Sequence, residues 1–194
     1  MLYAAFWQRV SAGLVDFLLL LPLLLCMAPL ETASPAVALL AYAVTYGAPY
    51  VYAVTLHATR GQTVGKRALG IRVVRLDGSP IGWRGALLRS VIDLGALLAL
   101  LTGTALALVR VTFDAYRVHP WSERGALLEA EVPWLAVASQ VYAVYVLVEL
   151  VVIVSNRRRR ALHDFVAGTV VVAVERGEPA SSLESSAAVR SART

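Results

Sequence analysis

Residues 10–28 read VSAGLVDFLLLLPLLLCMA, a stretch in which Asp16 is the one charged side chain. An α-helix rises about 1.5 Å per residue, so a run of this length spans the roughly 30 Å hydrocarbon layer of a bilayer. A helix also bonds its own backbone groups, which lipid requires. A cleaved signal peptide would have a shorter apolar region without an internal carboxylate, so the stretch predicts a retained membrane-spanning helix.

Three more apolar runs of about 20 residues follow the first. The chain has 194 residues, of which 58% are hydrophobic and 16% are charged, whereas about 25% of residues are charged in soluble domains. The sequence therefore predicts an all-α integral membrane protein with about four transmembrane helices, and it argues against a soluble enzyme. The predicted helices cover residues 10–28, 36–57, 85–109 and 133–154.

Basic residues are distributed unevenly among the segments that connect these runs. Residues 58–84 contain six Lys and Arg against one acid, Asp77, and Arg157–Arg160 follow the fourth run. The first connection has only Glu31, whereas residues 110–133 mix both charges. Since Lys and Arg collect in cytoplasmic segments, both termini and the 58–84 loop are predicted to lie in the cytoplasm.

The arginine run has two readings. We interpret Arg157–Arg160 as a topology anchor at the end of a helix, and a contact with anionic lipid is the alternative. No nucleic-acid partner is predicted, because neither a basic domain nor an aromatic platform accompanies the run.

Two short β-branched runs lie in the predicted cytoplasmic segments. Ile71–Val74 precedes a turn signal at Asp77 and Gly78, and Thr169–Val174 lies near the other end of the chain. These runs are too short to span a bilayer, so we predict that they pair into a small sheet. The membrane domain is expected to cover residues 1–174, with a cytoplasmic loop at 58–84, a cytoplasmic segment at 155–174 and a disordered tail at 175–194.

Three carboxylates interrupt the apolar runs, and each costs a few kcal/mol near the bilayer centre. Asp16 lies seven residues after Arg9, and Asp93 lies four residues after Arg89, a spacing that allows pairing on one helix face. Glu149 has no basic residue within a turn, although Tyr142 and Tyr145 share its face. The charges are interpreted either as paired struts or as a polar transport site inside the membrane. The candidate site residues are Arg9, Asp16, Arg89, Asp93 and Glu149.

Motifs for nucleotide binding, metal binding and catalysis are incomplete. Gly61–Arg67 has three residues between its glycines and an arginine after its lysine, so it is not a phosphate loop. The three histidines show no metal-ligand spacing, and nothing resembles a catalytic triad. The chain is thus predicted to have no catalytic residue, no cofactor and no metal site.

Four segments carry a family resemblance. They are FWQR at residues 6–9 followed by Ala12 and Asp16, GQTVGKRALGIRVV at 61–74, RGALLR at 84–89 and ALHDFVAGTVVV at 161–172. Together they resemble the RDD family of bacterial membrane proteins, whose name refers to one arginine and two aspartates. The resemblance places these on Arg9, Asp16 and Asp164. It also implies a cytoplasmic motif of Gly61, Gln62, Thr63, Gly65, Lys66, His163, Asp164, Gly168 and Thr169.

The resemblance implies a multi-pass protein of the bacterial cytoplasmic membrane. Transport of ions or other ligands, including cation/proton exchange, is proposed for the family. Asp93 and Glu149 fall outside the family pattern, and residues 110–133 are long for it. The first hypothesis is an oligomeric protein that moves a proton or a monovalent cation. The alternative is a non-transporting scaffold or accessory subunit that docks a partner. Complete pairing of the buried charges would favour the scaffold, and Asp16 or Glu149 left without a cation would favour transport.

Overall fold

Four long helices form the framework of the chain, and the computed structural model describes residues 2–174. Each helix is long and apolar enough to cross a membrane, which confirms the predicted architecture. Large apolar side chains point outward: Leu19 is 51% exposed, Leu147 62% and Val151 63%. A soluble monomer rarely exposes such continuous apolar surface, so these faces are suited to lipid. The helices are α1 Phe6–Met27, α2 Pro35–Arg60, α5 Val91–Arg110 and α8 Pro133–Ser155.

A two-stranded antiparallel sheet lies at one end of the bundle, which we call the sheet end. Strand β1 (Ile71–Arg75) pairs with β2 (Thr169–Ala173), with Val73 opposite Val171. The predicted pairing of the two β-branched runs is therefore confirmed. Residues before α1 extend the sheet, since the Ala4 N–H donates to the Val171 carbonyl at 3.0 Å.

The third predicted helix is interrupted, which corrects the single span expected over 85–109. Helix α4 (Gly82–Arg89) ends at Ser90, whose φ of −104° and ψ of 12° leave the helical range, and α5 begins at Val91. The break lets α4 pack against α2 and against the short helix α9 (Leu162–Ala167). Consequently Arg89 leaves the axis of the membrane span and reaches the sheet end.

Short helices close both ends of the bundle. At the sheet end, α3 (Val64–Ala68) packs against α1, and the Thr63 hydroxyl accepts from the Lys66 N–H at its start. At the opposite end, α6 (Phe113–Val118) and α7 (Trp121–Glu131) cover a 3-10 turn at Ala28–Thr32. The predicted tail at 175–194 lies outside the described residues.

Candidate functional site

Asp164 is the centre of the polar network at the sheet end. Its carboxylate is fully buried, and it begins α9 by accepting the Ala161 N–H at 3.0 Å. Arg9 Nη1 of α1 lies 2.9 Å from one carboxylate oxygen, and Arg89 Nη1 of α4 donates to the other. The Thr169 hydroxyl adds a bond of 3.0 Å from β2. Asp164 of α9 thus joins α1 and α4, which are distant in sequence, to the neighbouring strand β2.

Two guanidinium groups determine the charge state of Asp164. Burial alone would raise the pKa of this carboxyl group, but the guanidinium groups of Arg89 and Arg9 outweigh it and hold the pKa well below its ordinary value. The group is therefore an anion at neutral pH, and the ion pairs keep a charge stable where water is excluded.

Arg89 connects this ion pair to Glu149 of α8 through His163. Burial and the charge of Arg89 lower the pKa of His163, which favours the neutral ring. Arg89 Nη2 lies 2.7 Å from His163 Nε2, and His163 Nδ1 lies 2.8 Å from Glu149 Oε2. A neutral ring that accepts at Nε2 and donates from Nδ1 satisfies both contacts. Tyr145 also donates to Glu149, at 2.8 Å.

Sequence reasoning missed the role of Arg160. This last residue of the arginine run is 9% exposed. Its Nε donates to the Thr169 carbonyl at 2.9 Å, and its Nη2 donates to the Asp164 carbonyl at 2.7 Å. Its guanidinium also lies 4.1 Å from the centre of the Phe165 ring. Its three arginine neighbours are exposed. In the sequence, Arg160 differs from them by its position directly before the ALHDF segment at residues 161–165.

Asp16 belongs to a separate contact and does not pair with Arg9, which corrects the pairing suggested by their spacing. The Asp16 carboxylate accepts from the Tyr52 hydroxyl at 2.7 Å, the Thr63 hydroxyl at 2.6 Å and the Gly65 N–H at 2.7 Å. These neutral donors fasten α1 to α2 and to the start of α3. The contact requires close approach, since a Cβ on Gly65 would lie 2.0 Å from the Ala12 carbonyl oxygen.

The remaining residues of the 61–66 loop connect it to the sheet. The Gly61 carbonyl accepts from the Val73 N–H at 2.8 Å, and Gln62 Nε2 donates to the Ile71 carbonyl at 2.9 Å.

Lys66 makes no salt bridge within residues 2–174. Burial, reinforced by the charge of Arg89, lowers its pKa to about 8. Gly168, with a φ of +63°, ends α9 and lets the chain turn into β2.

Asp93 is separate from both contacts, and the pairing with Arg89 expected from their spacing is not formed. The Tyr142 hydroxyl donates to Asp93 at 3.1 Å, and within the described chain no cation lies within 4.0 Å of the carboxylate. The side chain borders a cavity of about 340 Å³ between α2, α5 and α8. The polar residues around the cavity are Thr45, Tyr46, Tyr50, Ser90, Asp93 and Tyr142.

A second polar cluster, at the opposite end, was not foreseen. Glu31 is 5% exposed, and Arg124 Nη1 lies 3.7 Å from its carboxylate. The buried Tyr116 hydroxyl lies 3.0 Å from the Tyr42 hydroxyl and 3.5 Å from Glu31. These contacts hold α6 and α7 over the bundle, so part of the long 110–133 segment is ordered by Glu31. Trp121 of this segment is 68% exposed.

Comparison with known proteins gives one match. A sequence model of the RDD family matches residues 3–168, which include every residue of the sheet-end network except Thr169. No curated protein and no solved structure matches the chain.

Proposed function

Because the chain belongs to the RDD family and has four helices able to cross a membrane, we propose that it moves a proton or a monovalent cation through a site at Asp93. The observation that supports this proposal is a carboxylate in the first turn of a candidate membrane-spanning helix, which borders a cavity and has no cationic partner within the described chain. Charged groups inside a bilayer are normally paired, and exceptions commonly belong to ion or proton pathways. We propose no enzymatic activity.

The cavity offers the ligands that a small cation needs. Pro49 has no N–H, so the carbonyl of Thr45 loses its usual helical donor. Both residues border the cavity, and the buried Thr45 hydroxyl also has no hydrogen-bond partner in the described structure. Carboxylate, hydroxyl and free carbonyl oxygens are suited to replace the hydration shell of an alkali cation. A volume of about 340 Å³ also holds several waters.

Asp93 is a better candidate than the other intramembrane carboxylates. Glu149 is bound by His163 and Tyr145, and Asp16 has three donors. A cation arriving at either group would have to displace existing bonds. At Asp93 it would displace at most the bond from Tyr142.

The charge distribution supports an orientation in the membrane. The sheet end has the excess of Lys and Arg, and we therefore propose that it faces the cytoplasm of a bacterial cell, with both termini on that side. A bundle of only four membrane-spanning helices encloses little volume, so a complete path would form more readily between protomers of an oligomer.

Sodium-, lithium- or potassium-driven pH change in proteoliposomes tests the transport proposal. Asp93→Asn keeps the size of the side chain and an acceptor for Tyr142 but removes the charge. It is expected to lower the response by about tenfold or more, because a loss of 1.4 kcal/mol in ion binding already gives that factor. Asp114→Asn is the control, since Asp114 is 84% exposed at the opposite end.

An unchanged response with Asp93→Asn would reject Asp93 as the site. No response of the wild-type protein to any of the three cations, despite correct insertion, would favour the scaffold.

One observation supports that second function: Asp164 is completely paired and joins α1, α4, α9 and β2. In that case the exposed helix faces or the sheet end would dock a membrane or cytoplasmic partner.

A further inference from the structure

A cleft between α4 and α9 differs from the other basic regions of the protein. It has a volume of about 270 Å³ and is bordered by Arg75, Arg84, Gly85, Leu88, Ala167 and Gly168. Pockets for drug-sized ligands measure about 300–1,000 Å³, so this one suits a smaller group. Its two guanidiniums make it electropositive.

These two arginines have no anionic partner in the described structure. Neither Arg75 nor Arg84 forms a salt bridge within residues 2–174, and Arg75 makes only one long bond, 3.4 Å to the Ile81 carbonyl. The nearby acid Asp77 is occupied by Ser79, which donates to it through its N–H and its hydroxyl. Arg9, Arg89, Arg110, Arg117, Arg124 and Arg160 bond to carboxylates or carbonyls. Arg60, Arg67 and Arg157–Arg159 also form no salt bridge within the described residues, but they do not border the cleft.

Exposed apolar side chains lie on the two helices that border the cleft. Arg84 and Leu88 are four residues apart on the face of α4 that borders the cleft. The neighbouring face presents Trp83, 55% exposed, and Leu87, 47% exposed. Phe165 of α9 is 49% exposed. Helix α4 ends one residue before the α5 span begins, so the cleft lies at the level where tryptophan and lipid headgroups meet.

We propose that this cleft binds the phosphate headgroup of an anionic phospholipid. Guanidinium groups bind phosphate oxygens through parallel charged hydrogen bonds. The exposed Trp83 and Leu87 on α4 and Phe165 on α9 provide apolar surface for the acyl chains of the same lipid. A soluble anion would use the arginines and leave these apolar side chains in contact with water.

Native mass spectrometry of the full chain in detergent tests this site with phosphatidylglycerol and phosphatidylcholine as probes. The wild-type protein is expected to bind phosphatidylglycerol more tightly. Arg75→Gln/Arg84→Gln should weaken that binding about thirtyfold, given the contribution of each arginine near a charged membrane surface. Both side chains are exposed, so the variant should fold, and an unchanged melting temperature would verify it.

Arg60→Gln/Arg67→Gln is the matched control, because it removes two exposed charges from the same end outside the cleft. Retention of wild-type affinity in this control supports the proposal. Equal weakening in both double variants would overturn it, since only diffuse surface charge would then matter. Displacement of phosphatidylglycerol by inorganic phosphate that itself binds lipid-free protein would also overturn it, by assigning the cleft to a soluble anion.

Discussion

Asp164→Asn is expected to lower the free energy of unfolding by about 3–5 kcal/mol, the usual cost of breaking a buried ion pair by removing one partner. The substitution leaves Arg9 and Arg89 facing each other without the anion that both contact. It also weakens the start of α9, because the same carboxylate accepts the Ala161 N–H. Thermal or denaturant unfolding of purified protein in detergent, followed by circular dichroism, measures the effect.

Asp114→Asn provides the comparison for this prediction. Asp114 pairs with Arg117 at 3.4 Å, but its side chain is 84% exposed. Exposed pairs of this kind contribute about 0–1 kcal/mol, so the control should unfold almost like the wild-type protein. Equal stability of the two variants would show that the Asp164 network does not hold the sheet end together.

Acid should reproduce the loss in the wild-type protein. The folded-state pKa of Asp164 lies below its ordinary value. Its stabilising contribution is therefore present above the unfolded-state pKa of about 3.9 and is lost as the pH falls through the folded-state pKa. Asp164→Asn lacks this group and should show a smaller decrease in melting temperature between neutral pH and pH values below about 4.

Gly65→Ala is the second large expected effect. The new Cβ would lie 2.0 Å from the Ala12 carbonyl oxygen and 2.9 Å from Asp16 Cγ. Backbone cannot rotate away as a side chain can, so α3 and α1 must separate. The bonds from Gly65 and Thr63 to Asp16 would then lengthen. We expect a destabilisation of about 1–3 kcal/mol or more, as for other overpacked sites, measured by the same unfolding experiment.

Gly13→Ala tests whether this effect is specific to the close approach. Gly13 is the neighbour of Ala12 in α1, and a Cβ there meets no atom within 4 Å. Alanine is favoured over glycine inside a helix by about 1 kcal/mol, so this variant should be as stable as the wild-type protein or more stable. A neutral Gly65→Ala variant would show that the contact between α1 and α3 is looser than the structure describes.

The elements of this protein follow from local sequence. Three of the four apolar runs become single helices, and the third does so from Val91 onward. The reason is that a chain in lipid must bond its own backbone, and a run of about 20 residues provides the length. Ile71–Val74 and Thr169–Val174 become strands because their β-branched side chains favour extended backbone and the runs are too short to span a bilayer. Membership of the RDD family was likewise indicated by four segments of the sequence, and the match of the family model to residues 3–168 confirms it.

The partners of the charges were decided by tertiary packing. Spacing allowed Arg89 to pair with Asp93 on one helix face, but the break at Ser90 separates α4 from α5. Arg89 instead meets Asp164, 75 residues away, and Arg9 meets the same carboxylate from 155 residues away. Helical periodicity is a local property. A buried charge, by contrast, is stabilised in a low-dielectric environment by the opposite charge that the packed helices bring within about 4 Å. For the same reason Asp93 was left beside a cavity, a position that depends on how α2, α5 and α8 pack together and that no local pattern specifies.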